Sequence, residues 1–566
     1  MEAYRHLLGL VPRVAVINEM AWSGGILPHY AAAGYEAVLM EWNNPYRHHP
    51  GWDGELRFGK RAALGADGTV LPLLWVDTLP SQQFQRTVHR LVEEEDYLRY
   101  IREYRERAGD RFFCLYAGDG EVFDYRPRRY QDEPEVDTGG EGDAVGRLLD
   151  RLCEQEEIEL RLPSELLDLP EPEPESPEPL RLESAAQPVP VKKQEKYTLN
   201  RWAVTGRDDF NINTACHRLA AAAGRNGELE GSFGKQLCRL WSSDFRTHIE
   251  EERWNDFRQE LAVAEERFET VSPGRTEADG EPAAASRRDG RYLFLENRRF
   301  SCRLDTKRGL ALLDWAPIGG ERQNSDPAGW VGTIPHGRFD DIRYAADFYS
   351  CNMVIERPGA PKITDLSPCE PTVEPLPGGG VQAEVQVRCR DVLFRKTYSL
   401  PGGDGALRCR VRIEHPGRLA GRIRPMHLTF PPGAFDRCTL FFAAHNGGDR
   451  LERFELHDGP VDHADALSGI VSARYGFGAT GGRVIVGDSS RQVEIVHDPG
   501  QAALIPSILY QPFDDGSCFL RLQYSAQELD ETFVPGDRPT VIEAEFRLYS
   551  STAPTGARAG LFTGGA

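Results

Sequence analysis

Two turns carry carboxylates in positions where they could do chemistry. In VAVINEMAW, Glu19 follows a short β-branched apolar run, with Met20 and Trp22 close behind. In FFCLYAGDGEVFDYRP, Asp119 and Glu121 follow a second apolar run, among glycines that let a ligand approach the backbone. Glycoside cleavage needs two carboxyl groups from different strand ends: one attacks the anomeric carbon, the other protonates the departing oxygen. Trp22 offers an aromatic face for a sugar ring. Glu41 and Asp77 close the runs AVLM and VLPLLWV and are reserve candidates for substrate contact. His48 and His49, in EWNNPYRHHP, read as an exposed loop pair.

The elements that must hold these residues alternate in type. Short apolar runs at Arg13–Ile17, Ala37–Met40, Val70–Val76, Phe112–Tyr116 and Ile158–Leu162 predict five strands. Between them lie helix-length stretches. Tyr97, Tyr100, Ile101 and Tyr104 mark one within Glu93–Arg107, and Leu148, Leu149 and Leu152 mark another within Gly146–Leu152. Alternating strands and helices predict a parallel sheet, open or closed, with ligand-binding groups at the C-terminal strand ends.

This α/β domain is expected over residues 1–168. Alternating Pro and Glu then predict a solvated linker over 169–196, because such a segment holds no ladder and has little to bury. Residues 197–271 read as three helices, with stripes at Cys216/Leu219/Ala220/Ala223, Leu237/Leu240/Trp241 and Trp254/Phe257/Leu261/Ala264. A second linker is expected over 272–290, an antiparallel β-sandwich over 291–555 from its period-two patterns, and a tail over 556–566.

In RWAVTGRDDFNIN, Trp202 could stack on a sugar and Asp208 bind its hydroxyls; the competing reading is a core tryptophan and a helix cap. His336, Asp340, Asp341 and Tyr344 read as surface-loop residues, HDGPVDHAD as a solvated turn. GEGDAVG lacks the Lys-Ser/Thr of a phosphate loop.

The order NEMAW, GDGEVF, SSDF resembles glycoside hydrolase family 57, retaining enzymes active on α-glucans. The resemblance implies that Glu19 is the nucleophile and Asp119 the acid/base, with Glu121 and Phe123 in register. It implies that Ser243, Asp244 and Phe245 contribute to the substrate site. The implied fold is α/β plus all-β: an incomplete distorted (β/α)7-type barrel, a three-helix bundle and a C-terminal antiparallel β-sandwich. The implied activity is hydrolysis or transglycosylation of an α-glucan or related oligosaccharide through a covalent glycosyl-enzyme, with no metal or cofactor.

Two departures stand beside the motifs. Asp124–Tyr125 and Arg126–Pro127 follow the acid/base motif where many members have Gly-His. The family's opening His-x-His strand has no counterpart before Glu19, so the resemblance implies a missing N-terminal barrel segment: the expectation is either a fragment or mis-started reading frame, or another polypeptide that supplies the strands. Two other readings compete. One is a non-catalytic carbohydrate-binding or scaffold protein descended from such an enzyme. The other is a polysaccharide deacetylase, which needs an Asp and a His-x-x-x-His pair that no strand end here carries.

Composition narrows the partners. The net charge of -21 over 566 residues argues against nucleic acid or an anionic membrane. Between Gln131 and Ser184 lie 18 acidic and 4 basic residues, so two thirds of the excess sits in one segment. The 11 cysteines include no CxxC pair and no zinc spacing, and read as buried free thiols in a reducing compartment. With neither an 18-residue apolar run nor a signal-peptide pattern at the start, the expectation is a cytoplasmic protein.

Overall fold

Three of the five apolar runs form parallel strands. A computed structural model describes residues 1–124, 140–169, 178–192, 197–243, 250–268, 284–318, 329–338, 347–403, 406–456, 459–534 and 538–552. Val14–Val16 (β1) pairs in parallel with Ala37–Glu41 (β2). Lys60–Leu64 (β3) is a strand that the apolar pattern did not signal, and it pairs antiparallel with Val70–Val76 (β4). β4 in turn lies parallel to β2, so the order is β1-β2-β4-β3. Among the described residues this is an open, mixed four-stranded sheet.

Phe112–Tyr116 and Ile158–Leu162, expected as strands, join no ladder. The reason is visible in the packing. Phe112 and Cys114 pack against Leu39, Leu74 and Val76 of the sheet, while Phe113, Leu115 and Ile158 pack among Phe84, Tyr97 and Leu148. Their apolar character signals burial, and helices supply that burial without strand pairing. The helix expected at Glu93–Arg107 runs Glu94–Ala108, with acidic residues in its first turn, arginines in its last, and Gly109 at φ 63° stopping it.

The linker expected over 169–196 is corrected over its described part. Leu180 bridges to Ala63 at the β3 edge, its N–H donating to Ala62 O at 2.7 Å and its carbonyl accepting from Leu64 N at 2.9 Å. Leu182 and Val191 are buried, and Pro190 O accepts the Trp22 N–H at 2.8 Å. After the Pro-Glu alternation the chain regains apolar residues at Leu180, Leu182 and Val191, and these dock. Residues 170–177 lie outside the described residues.

The chain divides into two units. One comprises Met1–Tyr197 with Asn446–Arg450, the other Thr198–His445 with Leu451–Ala566. The helical segment and the β-region, expected as separate domains, belong to one unit. Its helices Asp209–Arg225, Ser232–Leu240 and Glu251–Phe268 bury Cys216, Leu219, Phe233, Leu237, Trp254 and Phe257 together. The single turn Asn200–Ala203 precedes them.

Two nine-stranded sheets follow among the described residues, with antiparallel ladders. One is built around Gly380–Cys389, Val392–Leu400, Leu407–His415 and Thr540–Thr552, the other around Ile505–Pro512, Cys518–Ser525, Met426–Phe430 and Ala311–Pro317. Across the core, the Tyr398 hydroxyl on the first donates to Leu310 O beside the second, at 2.8 Å. Ala285–Asp289, inside the linker expected over 272–290, is an edge strand of the second sheet. No helix among the described residues is long and apolar enough to cross a membrane.

Candidate active site

Glu19 stands in the turn that leaves β1. The parallel strand ends when Ile17 N–H donates to Leu39 O at 3.2 Å. The chain then turns tightly through Asn18–Met20, with Glu19 at φ 53° and Met20 at φ 50°. Two successive non-glycine residues in the left-handed region are uncommon, and such strain persists only where surroundings enforce it. Here residues 190–192 do so: Lys192 N–H donates to Glu19 O at 3.3 Å, and Lys192 Nζ forms an ion pair with the Glu19 carboxylate. Both side chains are about a third exposed. The ammonium also lies 5.0 Å from the centre of the Tyr197 ring, a cation–π contact.

Glu41 and Asp77, at the ends of the two neighbouring parallel strands, are buried together. Glu41 Oε2 accepts from Asn44 N at 2.9 Å and Oε1 from the Thr78 hydroxyl at 2.7 Å. Burial pushes the Glu41 carboxyl up to about 7, against the pull of these hydrogen bonds and with help from the Asp77 charge. Asp77 caps the helix Thr78–Val88 through Leu79 N at 3.0 Å, takes a hydrogen bond from the Tyr104 hydroxyl, and lies 3.5 Å from Arg57. Asn44 links this pair to Glu19: its side-chain amide donates to Lys192 O at 2.9 Å and to Val191 O. Glu41, Asn44, Lys192 and Glu19 thus form one chain of polar contacts.

Trp22, expected to offer its ring to a sugar, is fully buried. Its indole N–H donates to Glu183 Oε2 at 2.8 Å, and Arg181 binds the other oxygen at 2.8 Å. Its neighbours are Met40, Trp42 and Leu182, so the ring belongs to the core. His49, expected in an exposed loop, instead stacks on Trp52 with centroids 4.2 Å apart and contacts Leu182 O at 3.0 Å.

Asp119 is exposed, in a loop ahead of the short turn Gly120–Val122 that contains Glu121. The Tyr116 hydroxyl donates to Asp119 O at 3.3 Å. Asp124 anchors this loop. Its carboxylate accepts the N–H groups of Glu141 and Gly142, at 2.8 and 2.5 Å, and its own N–H donates to Glu141 Oε2 at 2.9 Å. The helix Glu141–Cys153 starts there, so Asp124 supplies charge where that helix has unpaired N–H groups.

Trp202 and Asp208 belong to the other unit. Trp202 is half-buried in the turn Asn200–Ala203. Asp208, at φ 57°, precedes the helix Asp209–Arg225 and accepts from Asn211 Nδ2 at 2.6 Å. It lines a cavity of about 430 Å³ with Arg218, Arg258 and Arg538. Arg207 is paired with Glu251 at 2.7 Å and lies 4.3 Å over Trp254, a structural role. Asp244 lies outside the described residues, as do Phe245, Asp340, Asp341 and Tyr344.

Lys192, Asn44 and Glu183 were not singled out from the sequence. Lys192 carried one signal, as a basic residue just past the acidic stretch; Asn44 and Glu183 carried none, since the contacts that tie Asn44 to Val191 and Lys192, and Glu183 to Trp22, span more than a hundred residues.

No family model and no curated protein matches the sequence. Among solved structures, the 4-alpha-glucanotransferase from Thermococcus litoralis aligns with TM-score 0.33 and 12% identity, over 96% of this chain and 83% of that one. The GH36 alpha-galactosidase AgaB from Geobacillus stearothermophilus aligns with TM-score 0.28 and 12% identity, over 47% and 41%. A putative aldose 1-epimerase from Escherichia coli K12 aligns with TM-score 0.26 and 11% identity, over 48% and 99%.

Proposed function

We propose that this chain is a carbohydrate-active enzyme: a retaining glycoside hydrolase or transglycosylase acting on an α-glucan or related oligosaccharide. The observation that carries the proposal is Glu19, a solvent-accessible carboxylate at the end of a parallel strand, in a strained turn that Lys192 secures. In the first step Glu19 attacks the anomeric carbon while Asp119 gives its proton to the departing oxygen. In the second, Asp119 takes a proton from water or an acceptor hydroxyl, whose oxygen attacks the anomeric carbon and releases Glu19. Retention calls for the two carboxyl groups to work about 5–5.5 Å apart. Lys192 positions the Glu19 carboxylate for attack.

The test is turnover of a maltooligosaccharide series by wild type, Glu19→Gln and Asp119→Asn. Loss of about a thousandfold or more in kcat for Glu19→Gln, with the fold intact by circular dichroism, is the expected result. An equally active Glu19→Gln enzyme overturns the assignment.

A second reading, a non-catalytic carbohydrate-binding or scaffold protein, is favoured by the same ion pair. A carboxylate already neutralised by Lys192 also suits a purely structural turn. That reading expects glucan binding with no turnover by any of the three proteins.

A further inference from the structure

The β-region holds a polar cavity unconnected with the Glu19 reading. Met426–Phe430 and Cys518–Ser525 pair so that His427 faces Gln523 and Thr429 faces Arg521. Ile505–Pro512 extends the first row, with Ser507 opposite Gln523. Residues paired across a ladder share a face, so these five side chains stand on one side of the sheet. Leu428, Leu520 and Leu522 point the other way, into the apolar core. Met426–Phe430 is buried along its whole length, one face by hydrocarbon and the other by polar groups.

That polar face opens on a cavity of about 290 Å³, lined by Arg521, Gln523, His427, Asn352, Arg424 and Lys362 among others. On its wall Arg424, Arg422, Lys362 and Glu356 meet opposite charges, whereas Arg521 and Asp347 meet none among the described residues. Arg424 and Arg422 share Glu528, at 2.9 and 3.2 Å. Glu356 holds Lys362 and, at 3.1 Å, Arg422. Asp347 accepts from the Tyr349 hydroxyl at 2.8 Å and from His336 N at 2.5 Å.

Arg521 has no carboxylate partner among the described residues. Its Nη2 donates to Tyr349 O at 3.2 Å and approaches Asn352 Oδ1 at 3.4 Å, while its Nε is sealed with no acceptor. Burial and the neighbouring Arg424 charge press its pKa down to about 9. Thr429 Oγ1 and Ser507 Oγ on the same face are also buried without partners. A half-buried guanidinium whose Nε is sealed and which has no carboxylate partner among the described residues is suited to an anion from outside.

Two neighbours add specificity. Gln523 Oε1 accepts from Arg424 Nη1 at 3.0 Å, which leaves the amide hydrogens of Gln523 to donate elsewhere. His427 Nδ1 lies 3.0 Å from Asn352 O, which can only accept, so Nδ1 carries the hydrogen and Nε2 presents a lone pair. Burial holds the imidazole neutral, with a pKa well below its usual value.

We propose that this cavity binds an oxyanion carried on a small hydroxylated molecule, of the sugar-phosphate or sugar-acid class. Arg521 and the Gln523 amide grip the anionic oxygens, and His427 Nε2 accepts a hydroxyl of the same ligand.

Isothermal titration of the full chain with inorganic phosphate, glucose 1-phosphate, glucuronate and glucose tests this. At least one of the two anionic sugars binds one-to-one, about tenfold or more tighter than glucose, and Arg521→Gln weakens it about tenfold or more. Which anionic sugar binds tells phosphate from carboxylate. His427→Phe weakens the anionic sugar and leaves inorganic phosphate unchanged, and Glu19→Gln binds as wild type does. Should Arg521→Gln fail to fold, Gln523→Glu serves instead: it sets a carboxylate against Arg521 and Arg424 and abolishes anion binding. The proposal is overturned if neither anionic sugar binds, if glucose binds as tightly, or if the Arg521 and Gln523 variants bind unchanged.

Discussion

Glu41 and Glu19 both stand at the ends of parallel strands, yet they end in opposite surroundings. Glu19 meets an ammonium group and solvent; Glu41 meets a backbone N–H, a threonine hydroxyl and a second carboxylate. The folded protein titrates Glu41 near 7, against an ordinary value of 4.5. Between those values the folded state binds more protons than the unfolded chain, so this group's contribution to stability falls as pH rises and is fully lost above about 7. The loss is roughly 3 kcal/mol. Glu41→Gln, a mimic of the protonated form, removes it. Urea unfolding at pH 5 and pH 8 should show the stability difference between the two pH values shrinking by roughly 2–3 kcal/mol in the variant. The carboxylates at these strand ends were legible in the sequence. Their environments were not, because Lys192 and Thr78 reach them only through the fold.

At the scale of elements, an apolar run announces burial and leaves the partner open. Phe112–Tyr116 and Val70–Val76 look alike as sequence, but the second pairs with two strands and the first packs between sheet and helices. Conversely, β3, written KRAAL, is a strand because β4 offers it an edge. The Pro/Glu-rich stretch shows the same limit. Its end, 178–192, docks through Leu180, Leu182 and Val191, and supplies both Lys192 and the carbonyl that receives Trp22 N–H. Leu182→Ala should therefore cost roughly 2–5 kcal/mol in denaturant unfolding, as truncation of a core side chain does. The same variant should become open to protease within 178–192, where wild type is protected. An unchanged stability and cleavage pattern would mean that the segment is a linker after all.

Over the whole molecule, the cysteines give a direct check on the fold. All 11 are free thiols, and their burial sorts them. Cys153, Cys238 and Cys438 are exposed, while Cys216, Cys302, Cys351 and Cys409 are buried, so Ellman's reagent should modify the first three in the native protein and the last four only after unfolding. For Cys302, burial also pushes the thiol pKa well above its usual value, which suppresses the reactive thiolate. Reducing agent should leave Tm unchanged, since there is no disulfide to break.

Several features followed from the order of residues alone. Period-two alternation located the antiparallel sheets, and three- and four-residue spacing located the helices around Leu219, Leu237 and Trp254, because those periods reflect backbone geometry. The carboxylates at the strand ends were readable for the same local reasons, whereas the cysteines, expected to be buried, divide into buried, half-buried and exposed because packing and not their apolar neighbours in sequence sets their cover. The tertiary structure decided the rest. It took Trp22 into the core, tied Glu19 to Lys192, turned Asp124 into a helix anchor, and set Arg521, Gln523 and His427 on one face. Each of these depends on groups distant in sequence becoming neighbours, and no local pattern encodes which distant group will supply the charge, the hydrogen bond or the cover.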